Sequence, residues 1–498
     1  MLGQKQEVQQ ELIISCGLHN NMYDKGVITI SDFQKGVAQS PLQGFSVMRN
    51  VDVFDSPSIC KISAGATLSQ SRTGLMVAAV KATDGSLYTL FDDGKLYRDS
   101  TTSISTALTG AQDMVEFKDY LIISYGSGTG SLAYYGPLSG AATLSTGWQT
   151  GLTGDYWKKM IVAQDDAVYI ANGNLVAKLS GTVPSPTFSL NVLDLPTGYY
   201  ISTFAELGKY LMIGTHGGAS YSDGANFNIA KIFPWDRTSV SFNLPVNIEE
   251  NGIQAMLTKG NRLYVVAGTR GNVYETDISS YRKITRIPFN QNKTFGVTIV
   301  VYPNAFTSTS QGTLLVGTST GSGLDSNSMH GMWEISLSEK YPIALKNTIS
   351  TGNYGTTQTL RIGTLTAITN GQIFIGWQDG TTYGMDEIVS TPVTSYGAVI
   401  ESPIMVVGGR LSRKSFQHLE FQLLKQLTTG QGIRIGYRKN LTEDYTTIGT
   451  FTYASLGAVI SHETKALIDD AELVQIKIEL TTPATAGTNV ELLAVRIW

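Results

Sequence analysis

Residues 168–179 read Val-Tyr-Ile-Ala-Asn-Gly-Asn-Leu-Val-Ala-Lys-Leu, an apolar run, an Asn-Gly turn and a second apolar run. Asn-Gly between β-branched and aromatic runs is a hairpin signal, because Gly accepts the positive φ of a tight turn. The same text recurs: LYTLFDDGKLYRD from Leu87, LIISYGSGTGSLAYY from Leu121, LMIGTHGGASYSDG from Leu211, LYVVAGTRGNVYETD from Leu263, LLVGTSTGSGL from Leu314 and IFIGWQDGTTYGMD from Ile373. The seven units lie about 48 residues apart, a period typical of propeller blades. One hairpin cannot cover both of its faces, whereas stacking hairpins around an axis buries them and leaves only short edges. The glycines serve the turns and let strands approach closely near the axis. Because the unit spacing is uneven, the repeat predicts six or seven blades over residues 65–390.

The repeat stops at TPVTSYGAVIESP, residues 391–403. Beyond it the pattern changes to strict alternation: Leu419, Phe421 and Leu423; Ile433, Ile435 and Tyr437; Val474, Ile476, Ile478 and Leu480. Half-buried antiparallel strands read this way, so residues 396–498 are expected to form a separate C-terminal β-sandwich or jelly roll. Residues 1–64 are left as an N-terminal arm and closing strand, with Gln4–Ile13 the best helix candidate. The fold class is therefore all-β.

Composition bounds the function. The chain has 498 residues, 15% charged, and a formal charge of −4 from 36 Lys+Arg against 40 Asp+Glu. Phosphate binding runs on surplus Lys and Arg, so a dedicated nucleic-acid protein is disfavoured. Two cysteines, Cys16 and Cys60, exclude a disulfide scaffold and a Cys-based zinc module. No secretory signal and no apolar run of membrane-spanning length is visible, which predicts a soluble chain made in a reducing compartment.

Two stretches carry a resemblance. Residues 27–62, VITISDFQKGVAQSPLQGFSVMRNVDVFDSPSICKI, resemble the opening of structural proteins in tailed-bacteriophage virions through Asp32-Phe33, Gly36, Ser40-Pro41, Asn50, Asp52 and Pro57, with Ser58 where Gly is usual. The C-terminal segment is similar to the β-sandwich that ends many phage tail proteins, through Lys414 and Phe416, Tyr437-Arg438 and Pro483. The resemblance implies a tail hub, nozzle or adaptor subunit, made in the host cytoplasm and located in the virion. It implies a homo-oligomeric ring around the DNA-delivery channel, with other tail proteins as partners. Passing DNA is expected to make transient contact and no specific binding.

The search for chemistry yields little. His19, His216, His330, His418 and His462 never fall at i, i+2 or i, i+4 spacing, and each is read as a surface or turn residue. Ser220–Phe227 lacks the Ser and Gly positions of an Asp-box and is read as a β-turn at Asp223-Gly224. Asp325 and Asn327 begin an imperfect calcium loop whose later slots hold Met329 and His330. The acidic pairs Asp92-Asp93, Glu249-Glu250 and Asp386-Glu387 are read as solvated turns. Trp148, Trp157, Trp235, Trp333 and Trp377, scattered at blade spacing, are read as inter-blade packing. Arg410, Arg413 and Lys414 form a basic cluster that would face an interface, a channel or plain solvent. No catalytic constellation, cofactor site or metal site is expected, so the chain is read as a non-enzyme. The alternative is a glycan-binding or glycan-cleaving propeller acting as a host-receptor module. A cellular WD-type scaffold ranks last, since the Gly-His and Trp-Asp repeats are missing.

Overall fold

The computed structural model describes residues 28–498 except 32, 34–35, 38–44, 55–57, 100, 127–129, 154–156, 218–229, 279, 289–298, 321–330, 339–340, 351–359, 369–370, 393–396, 408–412, 441 and 484–487. Gln4–Ile13, Cys16, His19, the Asp223 turn, Asp325, Asn327, His330 and Arg410 lie outside them. The chain forms two compact units. One comprises residues 66–341 and 348–388, the other residues 1–65, 342–347 and 389–498.

The first unit is a β-propeller. Five antiparallel sheets each use four consecutive strands: blade 1 spans residues 76–105, blade 2 residues 113–152, blade 3 residues 160–194, blade 4 residues 200–248 and blade 5 residues 253–286. Blade 6 contributes Phe306–Ser308, Leu314–Gly317 and Met332–Ile335 within this unit. Blade 7 takes Leu360–Ala367, Ile373–Asp379 and Thr382–Pro392, and its fourth strand, Ala64–Arg72, comes from the start of the chain. The first strand of each blade packs on the first strand of the next, and Leu360–Ala367 packs on Met76–Lys81. The ring among the described residues therefore closes at seven blades. Each repeated sequence unit supplies the second strand of one blade, and the third strand follows it.

Burial between blades holds the ring together. One apolar cluster joins blades 1 and 2 through Tyr88, Leu90, Met114 and Ile123. Others join blades 2 and 3, blades 3 and 4, blades 4 and 5, and blades 7 and 1. Trp235 sits in the cluster of blades 3 and 4, 5.7 Å from the Tyr169 ring, and Trp148 packs beside the cluster of blades 2 and 3. Trp333 and Trp377 are fully buried.

Where a second strand carries Ile-Gly or Val-Gly, the glycine makes room for the next blade. A Cβ on Gly214 would lie 2.8 Å from Ile253 Cγ2, on Gly317 2.4 Å from Ile362 Cγ2, and on Gly376 2.4 Å from Met76 Cβ. No side chain fits at those separations.

The second unit contains two sheets. In one, the neighbours run Val51–Asp52, Cys60–Ile62, Glu491–Ile497, Lys414–Leu423 and Ser461–Ala471, with Ile28–Ile30 also on Glu491–Ile497. In the other they run Val47–Arg49, Ala398–Glu401, Leu473–Thr481, Gly432–Arg438 and Thr446–Thr452. Leu419, Phe421, Leu423, Ile433, Ile435, Val474, Ile476, Ile478 and Leu480 are all buried, as their alternation requires.

The expectation that residues 396–498 form a domain by themselves omits the N-terminal strands. Ile28 pairs with Ile497 and Cys60 with Leu492, so the first segment supplies strands to the last. The short run 342–347 belongs here too: Leu345 pairs with Arg49 in parallel, Asn50 N–H donates to Leu345 O, and Gly36, at φ 64°, lies against Ile343. A Cβ on Gly36 would meet Ile343 O at 2.6 Å. Cys60 is fully buried, and burial with nearby Asp52 pushes its thiol far above the ordinary range, so it is an inert core residue.

Candidate functional site

The inner strands of all seven blades converge on an axial cavity of about 290 Å³. Its wall includes Ala78, Met114, Met160, Phe204, Met256 and Thr364. Asp113, Lys159 and Asn304 are its charged and amide groups. Asn304 stands on the short 3₁₀ turn Pro303–Ala305, where Pro303 at the first position fixes φ for the turn.

The three side chains form a closed network. Lys159 Nζ donates to Asp113 Oδ2 at 2.9 Å and to Asn304 Oδ1 at 2.5 Å. Asn304 Nδ2 donates to Asp113 Oδ1 at 2.8 Å and to Val77 O at 2.8 Å. Met160 N–H donates to Asp113 Oδ2 at 2.7 Å, and Thr364 Oγ1 donates to Asn304 O at 3.1 Å. Blades 1, 2, 3, 6 and 7 are thereby tied together across the axis.

Asp113 is 1% exposed, a burial that a carboxylate tolerates only when paired and hydrogen-bonded. Both of its oxygens are already accepting. Paired with Lys159 and held by Met160 N–H and Asn304 Nδ2, the carboxylate suits cross-axis bracing.

A second feature is the loop between the third and fourth strands of blade 4. Asp236 Oδ1 accepts from Thr238 N–H at 3.0 Å and Ser239 N–H at 2.7 Å, while Ser239 Oγ donates to Oδ2 at 2.7 Å. These bonds hold the Asp236 carboxyl well below the usual carboxylate range. Trp235 Nε1 donates to Ser239 O at 2.7 Å, Asn243 N–H to Pro234 O at 2.7 Å, and the Phe242 ring packs 4.7 Å from Phe233. On this braced loop Val240 is 97% exposed and Leu244 88% exposed.

Of the basic cluster, Arg410 lies outside the described residues. Arg413, exposed, makes a 2.6 Å ion pair with Asp470, and Lys414 opens the strand Lys414–Leu423. Among the described residues no group of three or more His, Cys, Asp or Glu could hold a metal ion. No helix in them is long and apolar enough to cross a membrane.

Asp92-Asp93 lies in a turn and Glu249-Glu250 in a bend, with Asp92 and Glu249 exposed, as the sequence reading has them; Asp386 departs from it. Asp386 is buried within a blade 7 strand, accepts from Ser350 N–H at 2.7 Å and Oγ at 2.6 Å, and is pushed up by that burial. Asp92 accepts from Leu75 N–H at 2.8 Å and is also pushed up by loss of hydration. Glu250 accepts from Tyr274 Oη at 2.7 Å and from Asn272 Nδ2.

His216 corrects the surface reading of the histidines. It ends the second strand of blade 4 at 2% exposure, and desolvation lowers its pKa to about 4. Both faces of this strand are buried from Leu211 onward, so its last residue is buried with them. The axial trio gives no local signal. Asp113, Lys159 and Asn304 sit in unrelated sequence contexts, and only ring closure joins them.

No protein-family profile and no curated protein matches this sequence. Solved structures do. The computationally designed Ika8 protein is 14% identical, with 69% of this chain and 96% of that chain covered and a TM-score of 0.37. The β-propeller domain of Myceliophteria thermophila Cps50 (Swd1) is 10% identical over 64% of this chain and 99% of that chain, with a TM-score of 0.42. Chaetomium thermophilum Raptor is 8% identical over 69% of this chain and 30% of that chain, with a TM-score of 0.43. The propeller assignment stands on the closed ring of inner strands in the chain itself.

Proposed function

We propose that this chain is a structural subunit of a bacteriophage tail, a hub, nozzle or adaptor component that assembles with copies of itself around the DNA-delivery channel. In this reading the two-sheet unit is a β-sandwich, other tail proteins bind on either side of the ring, and DNA passes without specific contacts. The protein is made in the host cytoplasm and resides in the virion.

The observation that carries the reading is the blade 4 loop. Leaving Val240 and Leu244 in water forgoes roughly 1.5–3 kcal/mol for each side chain. A loop this tightly braced does not fold its own aliphatics away, so a neighbouring copy covers them. The likeness of residues 27–62 and of the C-terminal segment to virion proteins supplies the setting. In this reading the basic cluster makes no specific DNA contact, in keeping with the pairing of Arg413 with Asp470.

The test is the mass of the full-length protein in solution, by sedimentation velocity and native mass spectrometry. Closed oligomers are expected, dispersed by Val240→Ser together with Leu244→Ser. A monomer that stays monomeric at about 100 µM, well above the range of a stable subunit contact, overturns the proposal.

A further inference from the structure

Where the last strand of blade 4 passes into blade 5, the surface opens into a cleft of about 940 Å³. Lys231, Arg270 and Lys283 line it, together with Glu249, Glu250 and Asn272. We propose that this cleft binds an acidic saccharide, its carboxylate on Arg270 and Lys283 and its hydroxyls on the amide and carboxylate side. The inference is independent of the tail assignment.

Three observations lead there. First, the cations of the cleft crowd one another, with Glu250 as their nearby counter-charge. Loss of hydration and the adjacent charge of Arg286, only partly offset by Glu250, hold Lys283 below the usual ammonium range, and Arg270 adds to the effect. Loss of hydration and Arg270 act on Arg286 in the same direction. Cations crowded this way gain when an anion arrives.

Second, Asn272 is 5% exposed and lines the cleft, yet its Oδ1 has no hydrogen-bond partner among the described residues. Its Nδ2 donates to Glu250, so the amide is oriented and the stranded atom is an acceptor. A buried acceptor without a donor is unfavourable, and a ligand hydroxyl is a group that would satisfy it.

Third, the floor is fixed. Glu250 is held by Tyr274 Oη and Asn272 Nδ2 and lies against Gly268, at φ 72°. A Cβ on Gly268 would collide with Glu250 Oε2. The preset Glu250 carboxylate beside the Asn272 amide accepts hydroxyl donors, while the cations lining the same cleft favour negative charge. A ligand that combines many hydroxyls with a carboxylate meets both requirements.

The test is isothermal titration of the full-length protein with trigalacturonate, neutral maltotriose and inorganic sulfate as separate arms. Trigalacturonate is expected to bind at about millimolar strength or tighter, with both other probes weaker by about tenfold or more. Raising salt from about 50 to 300 mM should weaken it, since exposed charges are screened within about 10 Å or less. The exposed double variant Arg270→Gln/Lys283→Gln, checked for an unchanged melting temperature, should lose about tenfold or more, or 1.4 kcal/mol. Absence of trigalacturonate binding, equal binding of maltotriose, equal binding of sulfate, or indifference to the double variant each overturns the assignment. Should that variant melt early, Lys283→Gln alone is read in the same way.

Discussion

Replacing Lys159 with Met tests the claim that the axial trio braces the ring. The substitution keeps the length of the side chain and removes its charge. Asp113 would then remain 1% exposed with two donors, Met160 N–H at 2.7 Å and Asn304 Nδ2 at 2.8 Å, and no cation. Stranding one partner of a buried pair costs about 3–5 kcal/mol. In a domain this large each kcal/mol moves the midpoint by roughly 2 °C, so the propeller transition should fall by roughly 6–10 °C. Adding Asp113→Asn removes the stranded charge and should recover more than half of that loss. Differential scanning calorimetry at neutral pH, repeated at two scan rates to expose kinetic control, reads both variants. A fall below about 2 °C for Lys159→Met would show that water or rearrangement already compensates Asp113. A double variant no more stable than the single one would refute the charge argument outright.

Gly376→Ala should destabilise by about 1–3 kcal/mol, because its Cβ would sit 2.4 Å from Met76 Cβ at the junction of blades 7 and 1. Gly140→Ala, whose Cβ would meet only Pro137 Cγ at 3.5 Å, should stay within about 0.5 kcal/mol. Thermal melts of the pair compare crowding with plain loss of glycine. His216 carries a pH prediction. Its folded pKa of about 4 lies below the ordinary 6.5, so the unfolded chain binds the extra proton between those values. Stability should therefore be unaffected above pH 6.5 and drain as pH falls toward 4, by about 3 kcal/mol in all. His216→Gln should flatten that part of the melting-temperature profile, and a profile parallel to the unmodified protein would count against the buried neutral imidazole. Deleting residues 64–72 removes the fourth strand of blade 7, and the propeller should lose its cooperative transition in calorimetry, while an unchanged melt would show that the closing strand is dispensable.

Much of the blade was legible in the sequence because antiparallel neighbours are joined by short turns. Leu211–Gly214 or Ile373–Gly376 carries its own strand, its own turn signal and even the small residue that the next blade requires. Each of these properties is local, and the alternation at Leu419, Phe421 and Leu423 is local in the same sense. Ring closure is not local. The strand Ala64–Arg72 completes a blade whose other strands begin at Leu360, and nothing in either stretch names the other. Likewise the final strand Glu491–Ile497 finds Ile28–Ile30 and Cys60–Ile62 across nearly the whole chain. The axial contact of Asp113 with Asn304 spans 191 residues, and that of Lys159 with Asn304 spans 145. An Asp, a Lys and an Asn in three separate contexts read as ordinary polar residues. They become a buried network only when seven blades bring their inner strands together and water leaves the axis. The sequence by itself determined the repeating β-hairpin, because hydrophobic period and turn chemistry act between neighbours. The tertiary structure alone decided the seven-blade count, the pairing of both chain ends in one unit, and which polar groups met. Those depend on burial shared by residues that are distant along the chain.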